Sequence, residues 1–257
     1  MLLRFPILRF TLPKILLPRS LGEAGLGTGA FLQTKKNLTS KCDYVETPKT
    51  TCHQKSDNES TRSTLSDGRK RIVVGITGAT GIEIAVRVLQ FLKEANVETH
   101  LIISKWGIAT MKYETDYGVS DLGKYADKIY QTRDISAPIS SGSFRHDGMI
   151  VVPCSMKSLA AIRTGYTEDL LIRAADVTLK EGRKLLLAVR ETPLSKIHLE
   201  NMLALADMGV VIFPPVPAFY TRPTCLDNIF NQTAGRILDQ FDIDVRHFPR
   251  WGGFERK

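Results

Sequence analysis

Between residues 71 and 241 the chain alternates short unbroken apolar runs with stretches in which apolar residues return every three or four positions. The runs Arg71–Ile76, Val97–Ile103, Met149–Val152, Lys184–Val189 and Val210–Phe213 predict strands buried on both faces, with a shorter strand near Lys128–Tyr130. Ile84, Val88, Leu89 and Leu92 recur at helical spacing and predict a helix over Thr80–Ala95. Further helices are expected near Lys105–Thr115, from Met156, from the acidic cap Thr167-Glu168-Asp169 to about Lys180, from Ser195, and from about Thr224 to Phe241. Pro214, Pro215 and Pro217 interrupt the pattern before the last helix. Alternation of strand and helix predicts an α/β fold, a Rossmann-like doubly wound parallel sheet with right-handed crossovers. No internal repeat is present.

The pattern is absent before residue 70. Residues 1–22 carry Arg4, Arg9, Lys14 and Arg19 among Leu, Ile and Phe, with no acid before Glu23. This is the composition of a mitochondrial transit segment, although Pro6, Pro13 and Pro18 interrupt an amphipathic helix; a basic tail and a poor secretory signal are the alternatives. From about Gln33 to Arg69 the chain is rich in Ser, Thr, Lys and Asn, as a disordered linker is. The expected organisation is therefore a leader and linker over 1–69 and one folded domain over 70–257.

Composition adds little that is specific. The net charge of +8 divides evenly between residues 1–68 and the remainder, so the domain is only mildly basic and nothing calls for nucleic acid. No apolar run reaches the roughly 18 residues of a membrane-spanning helix. Cys42, Cys52, Cys154 and Cys225 show neither metal spacing nor a disulfide framework and read as reduced thiols. The five histidines show no metal-ligand spacing either.

Chemistry is expected where the strands end. Ligands of open parallel sheets bind outside the carboxyl ends of the strands. There the chain places Gly78, Ala79 and Thr80 after the first strand, Ser104 after the second, and Ser155, Met156, Lys157 and Ser158 after the fourth. Arg190 and Glu191 follow the fifth, and the proline-rich turn ending in Tyr220 follows the last. Arg71–Gly81, RIVVGITGATG, is a strand, a glycine turn and a helix start, which suits a phosphate. Two helix starts, at Thr80 and Met156, converge with Arg190 on one rim fit for anionic oxygen. A nicotinamide dinucleotide calls for an acid at the end of the second strand. That strand ends in Ser104, with Glu98 at its other end, which shifts weight to a mononucleotide such as FMN.

Other residues have two readings. Arg173 and Lys180 are seven apart on one helix face and, with Tyr220 and Arg236, suit a phosphate; the same helix with Asp169 and Asp176 suits a salt-bridged surface. Glu114 and Glu191 suit a general acid or base, or else a solvated helix end and a partner for a basic neighbour. Cys154 has no suggestively placed histidine and reads as structural.

Six motifs occur in order: GITGATG (75–81), KYETDY (112–117), ISSGSF (139–144), PCSMKSLAAI (153–162), VRETPLS (189–195) and RWGG (250–253). Together they resemble the flavin prenyltransferase family, the bacterial UbiX type and its fungal counterparts long called phenylacrylic acid decarboxylases. The resemblance covers residues 71–253. It implies that FMN is bound and receives a dimethylallyl group at N5 and C6, closing a fourth ring, and that a partner decarboxylase uses the prenylated FMN. By motif match it places FMN on Gly78, Ala79, Thr80, Ser104, Ser155, Met156, Lys157, Ser158 and Arg190. It places dimethylallyl phosphate on Lys180, Arg190, Tyr220 and Arg236, with Arg173 nearby. Glu114 and Glu191 match the family's acids, and Trp251 its C-terminal tryptophan. Thr77 and Thr80 stand where many bacterial members have serines. The resemblance further implies a large homo-oligomer, a dodecamer, and chemistry without a metal. A direct phenylacrylic acid decarboxylase and a flavin-delivery protein are the competing readings.

Overall fold

The computed structural model describes residues 68–253. The leader and linker expected over 1–69 fall, through Asp67, outside the described residues. Six parallel strands form one sheet: β1 (Arg71–Ile76), β2 (Glu98–Ile103), β3 (Lys128–Tyr130), β4 (Gly148–Cys154), β5 (Lys184–Val189) and β6 (Val211–Ile212). Their order is β3-β2-β1-β4-β5-β6. The helices are α1 (Ile82–Glu94), α2 (Lys105–Glu114), α3 (Val119–Leu122), α4 (Met156–Thr164), α5 (Leu170–Lys180), α6 (Lys196–Asp207) and α7 (Leu226–Asp239).

The unbroken apolar strands have two buried faces because helices cover both sides of the sheet. Ile72, Val74, Ile76, Ile150, Val152, Leu186 and Ala188 point to a core shared with α1 and α7. The intervening Val73, Met149, Val151, Leu185 and Leu187 point to a second core shared with α4 and α5. This period of two, doubled across a sheet, is what a doubly wound fold requires. Hydroxyl and carboxylate caps fix the helix entries: Ser104 accepts the Gly107 N–H, Asp169 that of Ile172, and Ser195 that of His198.

Most element ends shift by one or two residues from the periodic expectation, and one shift matters for the site. α1 begins at Ile82 rather than Thr80, because Gly81 takes a left-handed φ of 107° that opens the turn before the helix. α3 was not expected; four residues are too few for a periodic signal.

Candidate active site

The strand order reverses between β1 and β4, so the crevice of this sheet opens where those two strands end. The two turns that form it are tied together by one buried side chain. Thr77 donates its hydroxyl to the Pro153 carbonyl at 2.7 Å and accepts the Ser155 N–H at 2.8 Å. Ser155 is in turn the cap of α4, accepting the Ser158 N–H at 3.3 Å with the two hydroxyls 3.1 Å apart. The N–H groups of Met156 and Lys157, at the start of that helix, are left for a ligand oxygen. Trp106 packs so closely against Gly78 that a side chain there would overlap it. Thr110 bonds the Gly78 carbonyl from the same helix, so α2 closes one side of the β1 turn. Gly78, Ala79, Thr80, Ser104 and Ser155–Ser158 thus share one rim, and exposed Lys157 and Arg190 bring it positive charge.

The α1 terminus does something other than expected. The Glu114 carboxylate accepts the N–H groups of Gly81 and Ile82 at 2.9 and 3.0 Å, both through Oε2. The N-cap and first N–H groups of α1 are therefore already taken by an internal anion, which leaves α4 the more open of the two termini to a ligand. Glu114 is no free helix end: the positive end of α1 holds it at the rim, with Oε1 left over. Glu191 lies in the turn after β5 and accepts its neighbour's N–H, from Thr192, at 3.0 Å.

Lys180 and Arg236, expected on helices beyond the cradle, lie at the far ends of α5 and α7, away from this rim. Lys180 ends α5, and four residues later β5 begins, so Lys180 sits at the amino edge of the sheet. The six-residue β5, about 20 Å long, stands between that edge and the rim. There Lys180 pairs with Glu181; Arg173, in the first turn of α5, pairs with Asp176 at 2.8 Å and donates to the Ser140 carbonyl at 3.2 Å. The loop holding Ser140 is itself fixed by Arg183, which donates to the carbonyls of Gly142 and Phe144 at 2.8 Å each.

Tyr220, Arg236 and Trp251 form a third group, on the other face of the sheet. Tyr220 meets Trp251 edge to face at 5.5 Å, and both line a cavity of about 530 Å³ with Gln232, Arg236, Phe248 and Arg250. α7 ends at the amino edge, where Lys184, the first residue of β5, donates to the Gln240 carbonyl. Asp239 accepts from Arg236 at 2.7 Å and from both nitrogens of Arg250 at 2.9 and 2.8 Å. Burial works against the Asp239 carboxylate, but the bonds from Arg250 and Arg236 outweigh it and hold its pKa below the usual aspartate value. Cys154 is wholly buried, which pushes its thiol up to about 12 and leaves no thiolate for nucleophilic work.

A family model described as Flavoprotein matches residues 60–237. The chain is 65% identical over 204 residues to the mitochondrial flavin prenyltransferase PAD1 of Saccharomyces cerevisiae, covering 79% of this chain and 84% of the yeast protein. It is 55% identical to a probable UbiX-like flavin prenyltransferase of Bacillus subtilis, covering 74% of this chain and 93% of that protein. The chain belongs to the flavin prenyltransferases, within the Flavoprotein family.

Two solved structures agree. The crystal structure of AnUbiX (PadA1) in complex with FMN and dimethylallyl pyrophosphate is 57% identical, with a TM-score of 0.72 over 73% of this chain and all of that one. A dodecameric FMN-dependent UbiX-like decarboxylase from Escherichia coli O157:H7 is 55% identical, with a TM-score of 0.70 over 71% of this chain and all of that one. Within one chain Lys180 and Arg236 stand toward the amino edge of the sheet and the rim at its carboxyl edge. Thr77, Asp239 and Arg250 are residues to which sequence reasoning gave no role. Thr77 stood next to the glycine turn, and Arg250 stood in RWGG. Asp239, three residues after Arg236 on the same helix, carried the ordinary signal of an i, i+3 ion pair.

Proposed function

We propose that this chain is a flavin prenyltransferase: it takes FMN as a substrate at the rim and transfers a dimethylallyl group from dimethylallyl phosphate to N5 and C6 of the flavin. The observation that carries this reading is the likeness, over 73% of this chain and all of the other, to a structure holding FMN and dimethylallyl pyrophosphate. The rim fits such a ligand, because the α4 terminus, the serine hydroxyls and Arg190 are all donors to anionic oxygen.

FMN is held by Gly78, Ala79, Thr80, Ser104, Ser155, Met156, Lys157, Ser158 and Arg190. The donor's phosphate is held by Lys180, Arg190, Tyr220 and Arg236, with Arg173 beside Lys180 and Trp251 against Tyr220. As the allylic C–O bond breaks, charge gathers on the phosphate, and guanidinium and ammonium groups placed around it stabilise that state more than the ground state. Glu114 and Glu191 at the rim exchange the protons that ring closure requires. The flavin supplies the nucleophilic atoms and a ring face that stabilises the allyl cation.

A single chain does not bring Lys180, Arg236 and the rim together, and on this reading a homo-oligomer is what does. In this reading the end of α5 of one copy and the end of α7 of another complete the rim of a third. Exposed Ile197, Leu199 and Leu203 on α6 suit burial between copies, and the E. coli relative is a dodecamer. The basic, acid-free residues 1–22, with a yeast relative named mitochondrial, favour import into mitochondria. A decarboxylase is the expected user of prenylated FMN.

The older name for this family makes direct decarboxylation the second reading, and the solved Escherichia coli relative is described as a decarboxylase. Purified protein is titrated with FMN and with NAD, then incubated with FMN and cinnamate or ferulate without any partner. The reading expects FMN binding, no NAD binding and no release of carbon dioxide. Tight NAD binding or decarboxylation by the lone protein overturns it.

A further inference from the structure

Beyond α7 the chain does not leave the domain but folds back along that helix. Val245 and Phe248 are buried, and Phe248 lies in a notch at Gly235, where any side chain would overlap its ring. The Arg250 guanidinium then stacks over Phe248 at 4.9 Å and reaches Asp239 with a two-pronged fork, with a further bond to Asp244 at 3.1 Å. Next in sequence comes Trp251, held against Tyr220. Asp239, which takes both prongs of that fork, is thus the main carboxylate holding the last described turn, with Asp244 beside it.

That carboxylate has a second tenant. Asp239 also holds Arg236, one of the cations read above as a ligand of the donor's phosphate. Its side chain is 15% exposed while the two arginine side chains are about half exposed, so what sets this contact apart from a simple surface ion pair is the two-pronged geometry of Arg250. Two cations share one anion. A phosphate arriving at Arg236 competes with Asp239 for that guanidinium, and the charge it releases on Asp239 is available to Arg250.

We propose that Asp239 and Arg250 are positioning residues that couple donor binding at Arg236 to the seating of the C-terminal segment, so that an occupied donor site holds Trp251 against Tyr220 over the cavity. This rests on the reading that Arg236 holds the donor's phosphate. Asp239 sets the resting direction of the Arg236 guanidinium, and Arg250 is the latch through which the same carboxylate retains the segment. The fork matters rather than the charge alone, because lysine at 250 cannot make two parallel bonds.

The test uses the full-length protein loaded with FMN, and three variants: Arg236→Ala, Arg250→Ala and Arg250→Lys. Steady-state kinetics with dimethylallyl phosphate give KM and kcat separately, FMN titration reports the rim, and hydrogen–deuterium exchange follows peptides spanning residues 246–253 with and without the donor. In the wild type, adding the donor should slow exchange across 246–253. Arg250→Ala and Arg250→Lys should both raise the donor's KM about tenfold, leave FMN affinity within about twofold, and abolish the donor's effect on exchange. If Arg250→Ala does not fold, Arg250→Lys carries the same expectations. Wild-type KM in Arg250→Lys, or exchange in the wild type that the donor leaves unchanged, overturns the coupling. Wild-type kcat and donor KM together in Arg236→Ala overturn the reading of the phosphate site itself, and the coupling with it. A raised KM in Arg236→Ala with normal Arg250 variants leaves that reading standing and removes only the coupling.

Discussion

Thr77, at the end of β1, accepts the backbone N–H of Ser155 at 2.8 Å, joining the two turns that flank the crevice. The same hydroxyl donates to the Pro153 carbonyl, so one buried side chain sets the spacing of the glycine turn and the α4 cap. Thr77→Val keeps the shape and removes the hydroxyl, leaving the Ser155 N–H without its partner. The expected cost is about 1–3 kcal/mol of stability, with FMN binding weakened because the α4 terminus loses its fixed position. Thr77→Ser should bind FMN as the wild type does. Urea unfolding and flavin titration of both variants check this; a Thr77→Val protein with wild-type stability and affinity would remove the crossing bond from the account.

The separation of Lys180 from the rim leads to a subunit-mixing experiment. Lys180→Ala and Arg236→Ala should each bind FMN normally and lose prenyl transfer, by about 2–4 kcal/mol in the barrier if each cation acts like an oxyanion-hole donor. Because the two residues lie on opposite faces of one chain, hybrid oligomers containing both variants should recover part of the wild-type rate. A pair of solvated surface ion pairs predicts instead near-normal turnover in both single variants and stability changes below about 1 kcal/mol. Activity of co-expressed and separately purified variants distinguishes these outcomes, and hybrids as inactive as the parents would place both cations in the same chain's site.

The pattern of apolar residues showed most of the fold, and the reasons are local. A buried strand has to be apolar on both faces, and serine or aspartate at a helix entry bonds the free N–H groups of the first turn. These signals sit within a few residues of each other, so β1, β5 and the caps Ser104, Asp169 and Ser195 were all readable. The placement of Lys180 was not, because helical spacing says which face a residue occupies and not which end of the sheet that face reaches. Counting would have found it, since a helix that feeds a parallel strand must end at that strand's amino edge. The Glu114 bond to the α1 terminus was hidden for a different reason: the contact joins residues more than thirty positions apart, and no local pattern records it. The same holds for Thr77 and Ser155, whose pairing depends on β1 and β4 becoming neighbours.

Stability should fall in mild acid. The His146 ring is buried, and burial together with the positive charge of Arg183 pushes its pKa down to about 4. In the unfolded chain it takes up a proton near its ordinary value of about 6.5. Between those limits the unfolded state binds more protons than the folded one. The contribution of His146 is therefore intact above pH ~6.5 and is lost as the pH falls toward 4, on the order of 3 kcal/mol in all. His100, also buried, shifts in the same direction, with the Glu98 contact working against it. Urea midpoints of the flavin-free protein at pH 7 and pH 5 should drop for the wild type, and His146→Asn should drop less. An equal drop in both would assign the acid sensitivity elsewhere.

The most direct measurement is mass spectrometry of the flavin itself. Protein loaded with reduced FMN is incubated with dimethylallyl phosphate, and the flavin is extracted and weighed. A flavin prenyltransferase returns FMN heavier by one five-carbon prenyl unit, formed only when both protein and donor are present and lost in Lys180→Ala. Recovery of unmodified FMN from folded, flavin-loaded wild-type protein, under conditions in which the donor is intact, would contradict the account.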